Sequence, residues 1–109
     1  MIKKELLEII DKIVFNLDNK FWEKEFSKDK KILLSCVKLQ EETGELAWEV
    51  LTQLWRARQE KIDKFSNQNL EFEFADVVLS LLVLAKKMDI DINKALKEKL
   101  DKIQKRGGF

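Results

Sequence analysis

The sequence contains no histidine. That absence removes imidazole bases, histidine-dependent triads and every histidine-containing metal site. Any metal centre in this chain must be rich in oxygen ligands, which favours Mg²⁺, Mn²⁺ or Ca²⁺ over Zn²⁺. A single cysteine, Cys36, excludes an internal disulfide; beside Leu33, Leu34 and Val37 it is expected in the core. Proline is absent and glycine occurs three times, so nothing reads as a linker, a repeat or a low-complexity tract. An excess of either charge is missing as well. The net charge of +1 argues against a nucleic-acid partner and against an acidic tail. The longest apolar run, 77–85, falls far short of the roughly 20 residues of a spanning helix, and no signal peptide is visible. A cytoplasmic protein without a membrane partner is expected.

What remains is helical. At 109 residues one domain over 1–109 is expected. Leu6, Ile10, Ile13, Val14 and Leu17 recur at three- and four-residue steps and predict an amphipathic helix over 2–18. Residues 19–30 read as a connector with room for a helical turn, and they carry Phe21, Trp22 and Phe26. A long helical pattern covers 31–64. Ser and Asn at 66–69 mark a break, because their side chains compete for backbone hydrogen bonds. A third helix over 70–88 is apolar nearly all round and is expected to be the buried central one. Asp91 is placed to N-cap a last helix that ends near 105. Four helices with short connections predict an all-α four-helix bundle. So apolar a central helix in so short a chain predicts completion of the core by a second copy.

Two acidic patterns stand out. In "QEETGELAWEV", residues 40–50, Glu42, Glu45 and Glu49 fall in one narrow stripe at about 100° per residue, beside the apolar face. Glu41–Glu45 and Glu45–Glu49 are like-charge pairs four apart, each costing a few tenths of a kcal/mol, roughly. Lys38 offsets part of this. In the third helix Glu73 and Asp76 stand one turn apart; Glu73 suits a helix N-terminus. Asp76, between Ala75 and Val77, reads as a buried carboxylate that needs a cation. A solvated acidic face explains either pattern alone. Together, two carboxylate pairs spaced i, i+3 on antiparallel helices converge on an all-oxygen site of the kind that bundles build for divalent cations.

The segments "EETGEL" and "EFADVVLSLLVLAKKMDIDINKALKEKLDKIQKRG" resemble the MazG-like all-α nucleoside triphosphate pyrophosphohydrolases, over about residues 31–106. The mark of that superfamily is E-x-x-E on one helix and E-x-x-D on the next. The resemblance implies a four-helix MazG-like bundle, and the uncovered apolar helix predicts its assembly as a homodimer or homotetramer. It implies Mg²⁺-dependent hydrolysis of a (d)NTP between the α and β phosphates, with Mn²⁺ as a possible substitute. Glu42, Glu45, Glu73 and Asp76 would be metal ligands. Glu41 and Glu49 would lie beside the site, and the stripe of Glu41, Glu42, Glu45 and Glu49 would carry the catalysis.

The last helix presents Lys99, Lys102 and Arg106 on one face. A solvated basic helix end explains them equally well; by resemblance Lys99 and Arg106 would contact substrate phosphates, with Lys102 on the same face and Lys87 as a further basic position. Trp22, in the connector, is the tryptophan best placed to cover a base, although Trp22, Trp48 and Trp55 all also fit core or interface roles. Two departures bear on nucleotide choice. Ile103 stands where many relatives have asparagine, and Ser80 where some have an aromatic. The alternatives are a phosphoribosyl-ATP pyrophosphohydrolase, a dUTPase or dCTPase relative, and a non-catalytic helical interaction module.

Overall fold

Ser27 begins the element on which the fold is built. Its hydroxyl accepts the Lys30 N–H (3.2 Å) and its carbonyl the Lys31 N–H (3.0 Å), so it caps a helix of 33 residues. In the computed structural model, which describes residues 1–19, 22–60 and 68–108, the order is α1 (Lys4–Asn19), a short 3₁₀ helix (Trp22–Glu25), α2 (Lys28–Glu60), α3 (Gln68–Lys87) and α4 (Ile92–Lys105). Among the described residues there is no strand. The expected all-α class is observed. Residues 61–67 lie outside the described ones, and with them Ser66 and Asn67, the first half of the expected break. Gln68 and Asn69 already belong to α3.

Both ends of α4 follow from local chemistry. Asp91 accepts the Lys94 N–H at 3.1 Å, as its N-cap position predicts. At the other end Gly107 donates to Gln104 and Gly108 to Ile103, the paired bonds of a Schellman turn. Gly107 takes φ 85°, where a side chain would be strained. The same turn ends α3. Asp89 donates to Lys86 and Ile90 to Ala85, with Asp89 at φ 55°.

α3 packs against α1 and α2, most extensively against α2. Ile10, Val14 and Leu82 form the core, flanked by Ile2, Leu6, Val83 and Ile92. Central placement does not bury α3, contrary to expectation. Phe72, Phe74, Val78, Leu79 and Leu81 are exposed, because α1 and α2 cover only part of its circumference. Cys36 is exposed as well, on the outer face of α2, and is not a core residue. α4 contributes no buried residue and touches the other helices sparsely. Asn93 holds its start to the N-terminus, with its amide bonded to both the N–H and the carbonyl of Ile2 at 2.9 Å. The radius of gyration is 17.2 Å, well above the roughly 13 Å of a compact chain of this length.

One buried ion pair anchors the connector. Lys87 Nζ lies 2.7 Å from Glu23 Oε1, with side chains 4% and 7% exposed, and 3.4 Å from the Lys31 carbonyl. It joins the end of α3 to the 3₁₀ helix and to the start of α2.

Candidate metal centre

The pairing of α2 with α3 brings the two acidic patterns together. One carboxylate oxygen each from Glu42, Glu73 and Asp76 lies within 4.8 Å of the others. Glu42 is buried, Glu73 half-buried and Asp76 exposed. The buried carboxylate expected at Asp76 is therefore found on Glu42 instead. Glu42 turns into the α2–α3 seam, while Asp76 sits at its open edge. Oε2 of Glu42 and Oε2 of Glu73 are both buried without a hydrogen-bond partner among the described residues. Such an atom costs about 1–3 kcal/mol, more when charged.

The electrostatics agree with the geometry. Burial pushes the Glu73 carboxyl above its ordinary pKa, and the negative charges of Glu45, Asp76, Glu42 and Glu49 push it further the same way. Glu45 stands outside the group of three oxygens, yet its field and that of Glu49 reach Glu73. The donor set is all carboxylate, and it has two orphaned oxygens that repel their neighbours. It fits a hard divalent cation such as Mg²⁺ or Mn²⁺.

Two side chains that the motif reading left out of the site steady this cluster. Lys38 pairs with Glu42 Oε1 at 2.8 Å, and Gln53, itself buried, donates to Glu49 Oε1 at 2.9 Å. The hydrogen bond to Glu42 and that residue's charge hold the Lys38 ammonium above its ordinary pKa, helped by Glu41 and Glu45 and opposed by desolvation. Both contacts span four residues on one helix, a spacing visible in the sequence.

A cavity of about 480 Å³ adjoins the cluster between α1, α2 and α3. Lys38 and Glu41 line its side towards Glu42, and the rest of its lining is mostly apolar, with Ile13 and Leu17 from α1 and Leu79 and Val83 from α3. Glu41 thus faces the cavity rather than the three converging oxygens. The other expected residues are not brought to the carboxylates. Lys87 lies in a buried pair with Glu23 instead. Lys99, Lys102 and Arg106 are exposed on α4, and none has an acidic partner among the described residues. The side chain of Trp22 lies outside the described ones. Trp48 and Trp55 are exposed and line a separate apolar groove with Leu51, Leu54 and Arg58.

Residues 30–108 match the family model of the MazG nucleotide pyrophosphohydrolase domain. The match covers all of the carboxylate cluster and the whole of α4. Comparison with curated proteins and with solved structures gives no match. No helix among the described residues is long and apolar enough to cross a membrane.

Proposed function

Because this chain belongs to the MazG nucleotide pyrophosphohydrolase domain family, we propose that it hydrolyses nucleoside triphosphates between the α and β phosphates in a Mg²⁺-dependent reaction. The products are a nucleoside monophosphate and pyrophosphate. The observation that carries this reading is the convergence of Glu42, Glu73 and Asp76, with two buried oxygens left without partners. A helical interaction module has no use for buried, mutually repelling carboxylates. Its acidic residues would lie in solvent.

In this reading Glu42, Glu73 and Asp76 would hold the cation, with Glu45 beside them as a further carboxylate. A cation held there would supply charge to offset the phosphates and to make water more acidic. With no histidine in the chain, a carboxylate must take the proton from the attacking water. Glu49, oriented by Gln53, and Glu41, at the cavity edge, are the candidates. The 480 Å³ cavity beside Glu42 is of the size and largely apolar character that suit a nucleoside. Lys99, Lys102 and Arg106 stand apart from the carboxylates within one chain, and as phosphate contacts they would have to approach the cluster in the assembly. The exposed apolar faces of α2 and α3 are covered by a second copy, in a homodimer or homotetramer, and the single domain spans 1–109.

The test is pyrophosphate release from a panel of NTPs and dNTPs with Mg²⁺, wild type beside Glu73→Gln. Release by wild type and none by the variant supports the reading. Equal release by both removes the cluster from the reaction.

A further inference from the structure

Lys38 lies one helical turn before Glu42 on α2, with its Nζ 2.8 Å from Glu42 Oε1. The two side chains differ sharply in exposure, 59% for Lys38 against 8% for Glu42. The ammonium therefore enters from the solvent side and grips a carboxylate that is otherwise inside the α2–α3 seam. It takes one oxygen only. Oε2 stays buried and unpartnered, on a residue that belongs to the converging group of three.

Two roles are open to such a cation. It could be a placeholder that a metal must displace, or a clamp that stays in place when metal binds. A placeholder would sit among the converging oxygens and pair with more than one of them. Among the described residues Lys38 pairs with Glu42 alone and makes no ion pair with Glu73 or Asp76. The last torsion of a glutamate is broad, so a carboxylate held at neither oxygen samples many orientations. Fixing Oε1 from outside fixes where Oε2 points.

We propose that Lys38 is a positioning residue that holds Glu42 by Oε1 and so presents Oε2 to a divalent cation. The inference rests on the metal reading of the cluster given above. Partners of metal ligands that act in this way change metal affinity by about 10–100-fold. Lys38 also lines the adjoining cavity, so the clamp stands where the cluster and the cavity meet.

The sign of the effect makes the proposal testable. A positive charge beside a cation site, acting through its charge alone, weakens cation binding, and its removal would tighten it. A clamp does the reverse. The experiment is calorimetric titration of Mn²⁺ into wild type, Lys38→Met and Lys38→Arg without nucleotide, with circular dichroism melts of each protein. The expected result is a Kd about tenfold or more higher for Lys38→Met, most of the wild-type affinity for Lys38→Arg, and unchanged helicity in both. Unchanged or tighter binding by Lys38→Met, with wild type binding normally, overturns the clamp and leaves the metal site standing. A wild type that takes up no Mn²⁺ overturns the metal site, and the clamp with it.

Discussion

Glu73 illustrates how a single residue carries both a cost and a function. Its pKa is raised, so the folded chain holds a proton there more tightly than the unfolded chain does. Below the ordinary carboxylate value, about 4.3, both states are protonated and the cluster is relieved. As pH rises through that value and then through the raised one, the folded state loses its proton last and stability falls. Glu73→Gln imitates the protonated form at every pH. In metal-free buffer the Tm of Glu73→Gln should match that of wild type below the ordinary carboxylate value, pull ahead as pH rises through the window up to the raised one, and keep a constant lead above it. Melts across that range check this, and a Tm difference that does not change with pH would contradict it.

The Glu23–Lys87 pair is the second residue-scale test. Both side chains are nearly inaccessible, so the loss of one partner strands the other's charge. Lys87→Met should cost about 3–5 kcal/mol in urea unfolding, and the double change Lys87→Met with Glu23→Leu should recover much of it. A cost below about 1 kcal/mol, as for surface pairs, would mean the pair is solvated.

At the scale of the element, Gly44 lies inside α2 between Thr43 and Glu45, where a Cβ would meet nothing within 4 Å on this chain. Gly44→Ala should therefore stabilise the helix by roughly 0.5–1 kcal/mol, read from urea midpoints. A loss of stability instead would show that a second copy approaches the helix closely at that point. Helices of this kind were largely legible in the sequence. Apolar spacing marked α1 and α3, and Asp91 marked the start of α4 by its ability to accept a backbone N–H. The Ser27 cap was not legible, and the 3₁₀ helix only as a helical turn somewhere in the connector, since the aromatic residues and charges around them follow no helical period.

Burial was harder to read than helicity. The spacing of Glu42, Glu45, Glu73 and Asp76 shows that each pair shares a face. It does not show how deep each face enters the seam, and so Glu42 rather than Asp76 proved to be the buried carboxylate. The apolar circumference of α3 was visible, but one chain has only α1 and α2 to cover it. Similarly, the basic stripe of α4 was plain in the sequence, whereas its departure from the other helices depends on the turn at Asp89.

On the scale of the whole molecule, the small core and the large apolar surface belong together. Trp48, Leu51 and Trp55 on α2 are each more than 60% exposed, as a run of side chains on one helix surface. Stable interfaces are rich in such aromatic residues. Leu51→Asp should shift the protein from an oligomer towards monomer in sedimentation, and lower its Tm at micromolar concentration. A monomeric wild type would contradict the proposed assembly without touching the metal site.

The central claim is that the carboxylates of α2 and α3 form a cation site that serves nucleotide hydrolysis. Pyrophosphate release with Mg²⁺, measured for wild type and Glu73→Gln over the four NTPs and four dNTPs, tests it most directly. The account predicts release by wild type from at least one nucleotide, dependence on added Mg²⁺, and loss of release in the variant. Turnover that persists in Glu73→Gln, or in the presence of a chelator, would contradict it.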